Sequence, residues 1–69
     1  MRGNHYYKKI GEKIAYLRKK RKLSQYQLAD KARVNRSHLA LLERGKANPT
    51  VKFLGKISRA MKVKVKDFF

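Results

Sequence analysis

Two helix-start signals, at Ser24 and Asn35, stand eleven residues apart and constrain the chain between them more than any other feature. In "LSQYQL" Ser24 offers a capping hydroxyl, Gln27 completes a capping box, and Leu23 with Leu28 has the spacing of a hydrophobic staple. In "VNRSHL" Asn35 is again a good N-cap, and Val34 with Leu39 repeats the staple. A helix from Gln25 to about Ala32 therefore meets a second helix across Arg33 and Val34 alone. Gly45 closes that second helix, because glycine readily takes the left-handed conformation that ends one. The connection between the two helices is very tight.

The flanking segments are helical too. Tyr7, Ile10, Ile14 and Leu17 recur at spacings of 3, 4 and 3, which predicts an amphipathic helix ending near Arg21 or Lys22. The run "RKKRK" at 18–22 has the composition of a nuclear localisation signal, but cations at a helix C-terminus, where the macrodipole is negative, are the better reading. Thr50 is a plausible cap for another helix marked by Val51, Leu54, Ile57 and Met61, with Phe53 and Ala60 widening its apolar face. In the tail "KVKVKDFF" the Lys/Val alternation is strand-like, yet a lone strand has nothing to pair with. A short fifth helix ending in Phe68 and Phe69 is favoured. The expected organisation is a flexible basic arm at 1–6 and one all-α domain over 7–69.

Charge says what such a domain meets. Twenty Lys and Arg face four acids, a formal net charge of +16 that opposes compaction through self-repulsion. Nucleic acid is the leading polyanionic partner, ahead of a merely solvated surface and of an anionic membrane. The four acids (Glu12, Asp30, Glu43, Asp67) are too dispersed to suggest a carboxylate pair, and His5 and His38 lack metal-ligand spacing. There is no cysteine, and the glycines at 3, 11, 45 and 55 make neither a P-loop nor a dinucleotide fingerprint. No enzyme, metal, cofactor or small-molecule ligand is expected. No apolar run is long enough for a membrane span and nothing resembles a signal peptide, so a cytoplasmic location is expected by default.

Stepping 100° per residue along 35–44 puts His38, Leu39 and Leu42 on one face and Arg36, Ser37, Ala40, Leu41 and Arg44 on the other. A DNA major groove about 12 Å wide admits a helix only if its outward side chains are not bulky, and acids there would meet phosphates. The outer face satisfies both conditions. Gln25 and Tyr26 open the preceding helix, where free N–H groups and the positive dipole end can grip a phosphate. Residues 24–45 thus read as a helix-turn-helix.

At this point "IGEKIAYLRKKRKLSQYQLADKARVNRSHLALLERGKANPT" resembles the Cro/repressor-type (XRE-type) helix-turn-helix family of phage repressors and bacterial regulators. Its marks are Ile10-Gly11, Leu17-Arg18, the Leu-Ser-Gln at 23–25, Leu28-Ala29, Leu42-Glu43-Arg44-Gly45 and Pro49, and the likeness covers about residues 8–69. The pattern R-S-H-L…E-R-G also resembles the controller proteins of restriction-modification systems. The resemblance implies a compact five-helix, lambda-repressor-like domain that binds double-stranded DNA as a homodimer on a palindromic operator and regulates transcription. It implies base reading by Asn35, Arg36, Ser37, Ala40 and Leu41, the leucine packing on a thymine methyl. Phosphate contacts fall to Gln25, Tyr26, Arg44, Lys46 and Asn48; His38 is either a core-edge residue or a further phosphate donor. Gln25 would also buttress the recognition helix, and Arg18 would pair with Glu43 in a partly buried salt bridge. Phe68 and Phe69 are the expected dimer contact. An alternative is a protein-interaction module of the same fold, antitoxin- or coactivator-like, with Phe53, Phe68 and Phe69 as its adhesive surface. Two departures stand out: Arg33 occupies a turn position usually held by glycine, with strain of about 1 kcal/mol if φ is positive there, and Lys64 stands where relatives often place a capping Ser.

Overall fold

The computed structural model describes the backbone of residues 2–69 and the side chains of residues 5–69. Four α-helices follow one another, α1 (Arg2–Lys20), α2 (Gln25–Ala32), α3 (Arg36–Glu43) and α4 (Val51–Met61), and a single 3-10 turn spans Val65–Phe68. α1 lies across α3 and the 3-10 turn, while α2 packs on α3 and α4. Ile10, Ile14, Leu28, Leu39, Leu54, Ile57, Met61 and Phe68 are sealed in one core.

The caps form where the local chemistry places them. Ser24 Oγ accepts the Gln27 N–H at 3.0 Å and Gln27 Oε1 accepts the Ser24 N–H at 2.8 Å, so two otherwise orphaned donors are satisfied reciprocally. Asn35 Oδ1 accepts from His38 N–H (3.0 Å) and Thr50 Oγ1 from Phe53 N–H (3.1 Å). Both staples close, with Leu28 and Leu39 fully buried and Leu23 and Val34 packed beside them.

Three of the helix ends are unusual. Lys22, Arg33 and Lys62 follow α1, α2 and α4 with φ of 60°, 59° and 59°, the left-handed region in which a β-carbon costs about 1 kcal/mol. The strain expected at Arg33 is therefore present, and it recurs at two lysines. Gly45, φ 73°, ends α3 without it.

Two glycines decide how α1 meets α3. A β-carbon on Gly11 would sit 2.2 Å from the Leu42 carbonyl oxygen, and one on Gly45 would sit 2.6 Å from Lys8 Cα. The backbone of α1 therefore rests directly on the C-terminal end of α3.

The chain differs from expectation at both ends. Residues 1–6, expected as a flexible arm, are helical from Arg2 onward (Met1 lies outside the described residues), and the Tyr6 ring finds a tilted partner in Phe69 at 6.4 Å. The α-helix count is four, not five: the tail makes one 3-10 turn in place of a fifth α-helix. Lys64 supplies no capping side chain, and its N–H donates instead to Asp67 Oδ2 at 2.9 Å. That tight turn folds Phe68 inward, 1% exposed, against α1 and α4. Phe68 is a core residue and not a dimer contact.

Candidate nucleic-acid interface

The orientation of α3 is set by a single carboxylate. Glu43 accepts Arg18 Nε at 2.6 Å, the second guanidinium arm of Arg18 at 3.1 Å, and Gln25 Nε2 at 2.9 Å. The remaining arm of Arg18 donates to the Leu23 carbonyl at 2.7 Å. Both charged side chains are nearly buried, at 10% and 6% exposed, so one bidentate pair with its amide partner joins α1, α2 and α3. The expected Arg18–Glu43 pair is present, and Gln25 does buttress α3.

The outward face of α3 carries no acid. Ser37 and Leu41 are exposed, Arg36 and Ala40 half-buried. Leu41 is 37% exposed, one of the large apolar side chains left at the surface, and stands outside the core cluster. Asn35 is exposed, but its Oδ1 is committed to the cap, leaving only its Nδ2 donor for other work. Arg44, Lys46 and Asn48 are exposed along the end of α3 and the following loop.

Sequence reasoning missed how Arg36 is held. Its Cζ lies 4.3 Å from the centroid of the Tyr26 ring, a cation–π stack joining the first turns of α2 and α3. Tyr26 is thus a shelf for the Arg36 guanidinium. The two caps put both residues in the first turns of their helices, but the ring contact depends on how α2 crosses α3 and is not marked in the sequence. His38 points away from the outer face: its ring meets Phe53 edge-on at 4.8 Å and is half-buried, the core-edge position. Phe69 is 60% exposed beside Tyr6, so of the two terminal aromatics it alone remains on the surface.

Among the described residues no group of three His, Cys, Asp or Glu could hold a metal ion, and no helix is long and apolar enough to cross a membrane. What the face offers is donors: one anchored guanidinium, one hydroxyl, one amide, an apolar side chain and flanking cations.

Comparison with known proteins agrees with this arrangement. Residues 14–68 match the helix-turn-helix family HTH_3. The chain is 43% identical over 56 residues to the immunity repressor protein of Bacillus phage phi105, covering 81% of this chain and 39% of the repressor. It is 40% identical over 57 residues to the HTH-type transcriptional regulator SinR of Bacillus subtilis, covering 81% of this chain and 51% of SinR. The chain thus spans about two fifths of the one relative and half of the other. Among solved structures, the restriction-modification controller protein C.AhdI from Aeromonas hydrophila superposes with a TM-score of 0.91 at 28% identity, covering 94% of this chain and 98% of the controller.

Proposed function

The chain belongs to the helix-turn-helix family of transcriptional regulators, and on that premise we propose that it binds double-stranded DNA sequence-specifically and controls transcription by occupying its site. In this reading α3 enters the major groove. Arg36, aimed by Tyr26, reads a base edge with its forked donors; Ser37 and the Asn35 amide supply further hydrogen bonds; Ala40 and Leu41 make apolar contact. Arg44, Lys46, Asn48 and the N-terminal turn of α2 engage phosphates. His38 adds a phosphate contact only through the edge of its ring that Phe53 leaves open.

A single observation carries this proposal: an acid-free outer face on a helix whose angle is fixed from behind by the Glu43 clamp. A helix held that way presents its side chains in one register. A homodimer would place two such helices in half-sites roughly 34 Å apart, one turn of duplex. Phe69 and Tyr6 provide the exposed aromatic end for that contact. The same exposed end, with Tyr16 beside it, favours the alternative of a protein-binding module, which binds no duplex selectively.

Titrating the protein with random duplex DNA across salt, followed by competition with a selected site, tests the proposal. Each neutralised phosphate contributes about −0.9 to the slope of log K against log salt, and six or more phosphates are expected for a dimer. A slope shallower than about −2, or failure of any selected sequence to outcompete random duplex, would overturn it.

A further inference from the structure

Three shallow concavities run one into the next along the seam between α2 and α4. The first opens beside Asn35 and His38 at the head of α3 and carries Arg33, Lys52 and Lys56. The second shares Arg33 and Lys56 and adds Lys31 and Arg59. The third shares Lys31 and finishes on Lys62 at the far end of α4. No carboxylate lines any of the three; Asp30, the neighbour of Lys31 in sequence, is absent from all of them.

These cations do no structural work that the fold reveals. The ion pair among the described residues is Arg18–Glu43, which lines none of the three concavities, and among the described residues none of the six side chains just named donates a hydrogen bond. Arg21, which also borders the third concavity, is different, since its guanidinium donates to the Met61 carbonyl at 2.8 Å. Two members of the seam, Arg33 and Lys62, moreover hold φ of 59°, a conformation glycine would adopt without strain.

We propose that the α2–α4 seam is a second phosphodiester-binding track, which takes the flank of the same duplex whose major groove receives α3. The proposal rests on the reading of α3 as a groove-binding helix. The track begins next to the leading end of α3, so the backbone that reaches it first belongs to the duplex already bound. An eleven-residue α4 is about 16 Å long, which matches the rise of about five base pairs along the duplex axis. Reaching the far end requires the flank to bend toward the domain, and a row of unpaired cations on one side of a duplex favours such a bend.

The test compares a short duplex holding only the selected site with a long duplex that extends it. The protein should bind the long duplex with a salt slope steeper by about 4. The double variant Lys56→Gln/Arg59→Gln should keep its affinity for the short duplex within twofold, lose at least tenfold on the long one, and return about 2 of that extra slope. Arg33→Gly provides a separate readout. It should raise the melting temperature by relieving the positive φ, yet weaken long-duplex binding, a combination that a purely structural role does not produce. Equal binding of short and long duplexes by the unaltered protein would overturn the track. Equal loss on both lengths in the double variant, or no loss on either, would do the same, as would competition by unlinked short duplex as effective as the attached flank. If short-duplex binding is itself unselective or indifferent to Arg36→Ala, the reading of α3 fails instead.

Discussion

The two ends of α3 are held in different ways. At the C-terminal end, backbone lies on backbone at Gly11 and Gly45, and a nearly buried carboxylate takes three hydrogen bonds. At the N-terminal end the described residues show no ion pair: Leu39 and Val34 pack on the core, Asn35 caps, Arg36 leans on Tyr26, and His38 leans on Phe53. One end is fixed by backbone contact and a nearly buried ion pair, the other by Val34 and Leu39 on its core side and by ring stacks on Arg36 and His38. A reading helix gains from that division, because a rigid rear sets the angle while exposed donors at the front remain available to a ligand.

Breaking the rear end should have the largest effect. Arg18→Met or Glu43→Leu alone strands a buried partner charge, at a cost of about 3–5 kcal/mol. The double variant, with an apolar pair of similar volume, should recover much of that loss. Strict additivity in denaturant melts would show that the two residues are not energetically coupled. The recovered protein should still bind the selected duplex less selectively, since Gln25 loses its acceptor and α3 its tie to α2.

Gly11→Ala tests the same end through shape alone. The new methyl would fall 2.2 Å from the Leu42 oxygen and 2.7 Å from that of Glu43, both backbone atoms that no rotamer change can move. We expect a loss of about 1–3 kcal/mol in unfolding free energy. A change below about 0.5 kcal/mol, the usual range at unconstrained surface sites, would mean that α1 and α3 separate easily.

The contrast between the two ends also explains what the sequence could reveal. Caps are local chemistry, so Ser24, Asn35 and Thr50 start helices where a few neighbouring residues say they should. The Arg18–Glu43 pair is legible only through family resemblance, because the two stand 25 positions apart and nothing between them marks them as partners. The burial of Phe68 is hidden in the sequence for a related reason. Periodicity cannot distinguish a buried aromatic from an exposed one at a chain end, and its burial depends on α1 and α4 meeting the 3-10 turn. The arm was misread because its polar residues show no apolar period, whereas the helix there is extended by Tyr6 against Phe69, a contact 63 positions away in the chain. The outward face of α3 was legible because it depends only on helix geometry.

At the front end the effects should be smaller and specific to DNA. Arg36→Ala should cost about 1–3 kcal/mol in binding and relax one base position. Tyr26→Ala should produce a weaker version of the same defect, about 0.5–1 kcal/mol, by removing the shelf that holds the guanidinium. Tyr26→Phe should retain the shelf. Binding measured on the selected site and on single-base variants of it separates these outcomes. If Tyr26→Phe is as damaging as Tyr26→Ala, the hydroxyl grips a phosphate and the ring does not position Arg36.

Leu41 supplies the smallest predicted effect and the sharpest one. It lies on the reading face at 37% exposed, with no place in the core cluster, so its apolar surface has a use only when a ligand covers it. A thymine methyl is the apolar group that a major groove presents. Replacing that thymine with uracil removes one methyl and leaves every hydrogen-bonding edge intact, so the DNA can be altered in place of the protein. The expected loss is about 0.8 kcal/mol for each methyl, doubled on a symmetric site with two copies bound. Leu41→Ala should abolish most of the thymine–uracil difference and leave the melting temperature of the free protein nearly unchanged, because half-exposed surface contributes little to the core. A thymine–uracil difference that survives in Leu41→Ala would place the methyl against another side chain, with Ala40 the neighbour on the same face. A large drop in melting temperature would mean that Leu41 supports α3 from within, and that the front end of the helix is held more firmly than its ring stacks suggest.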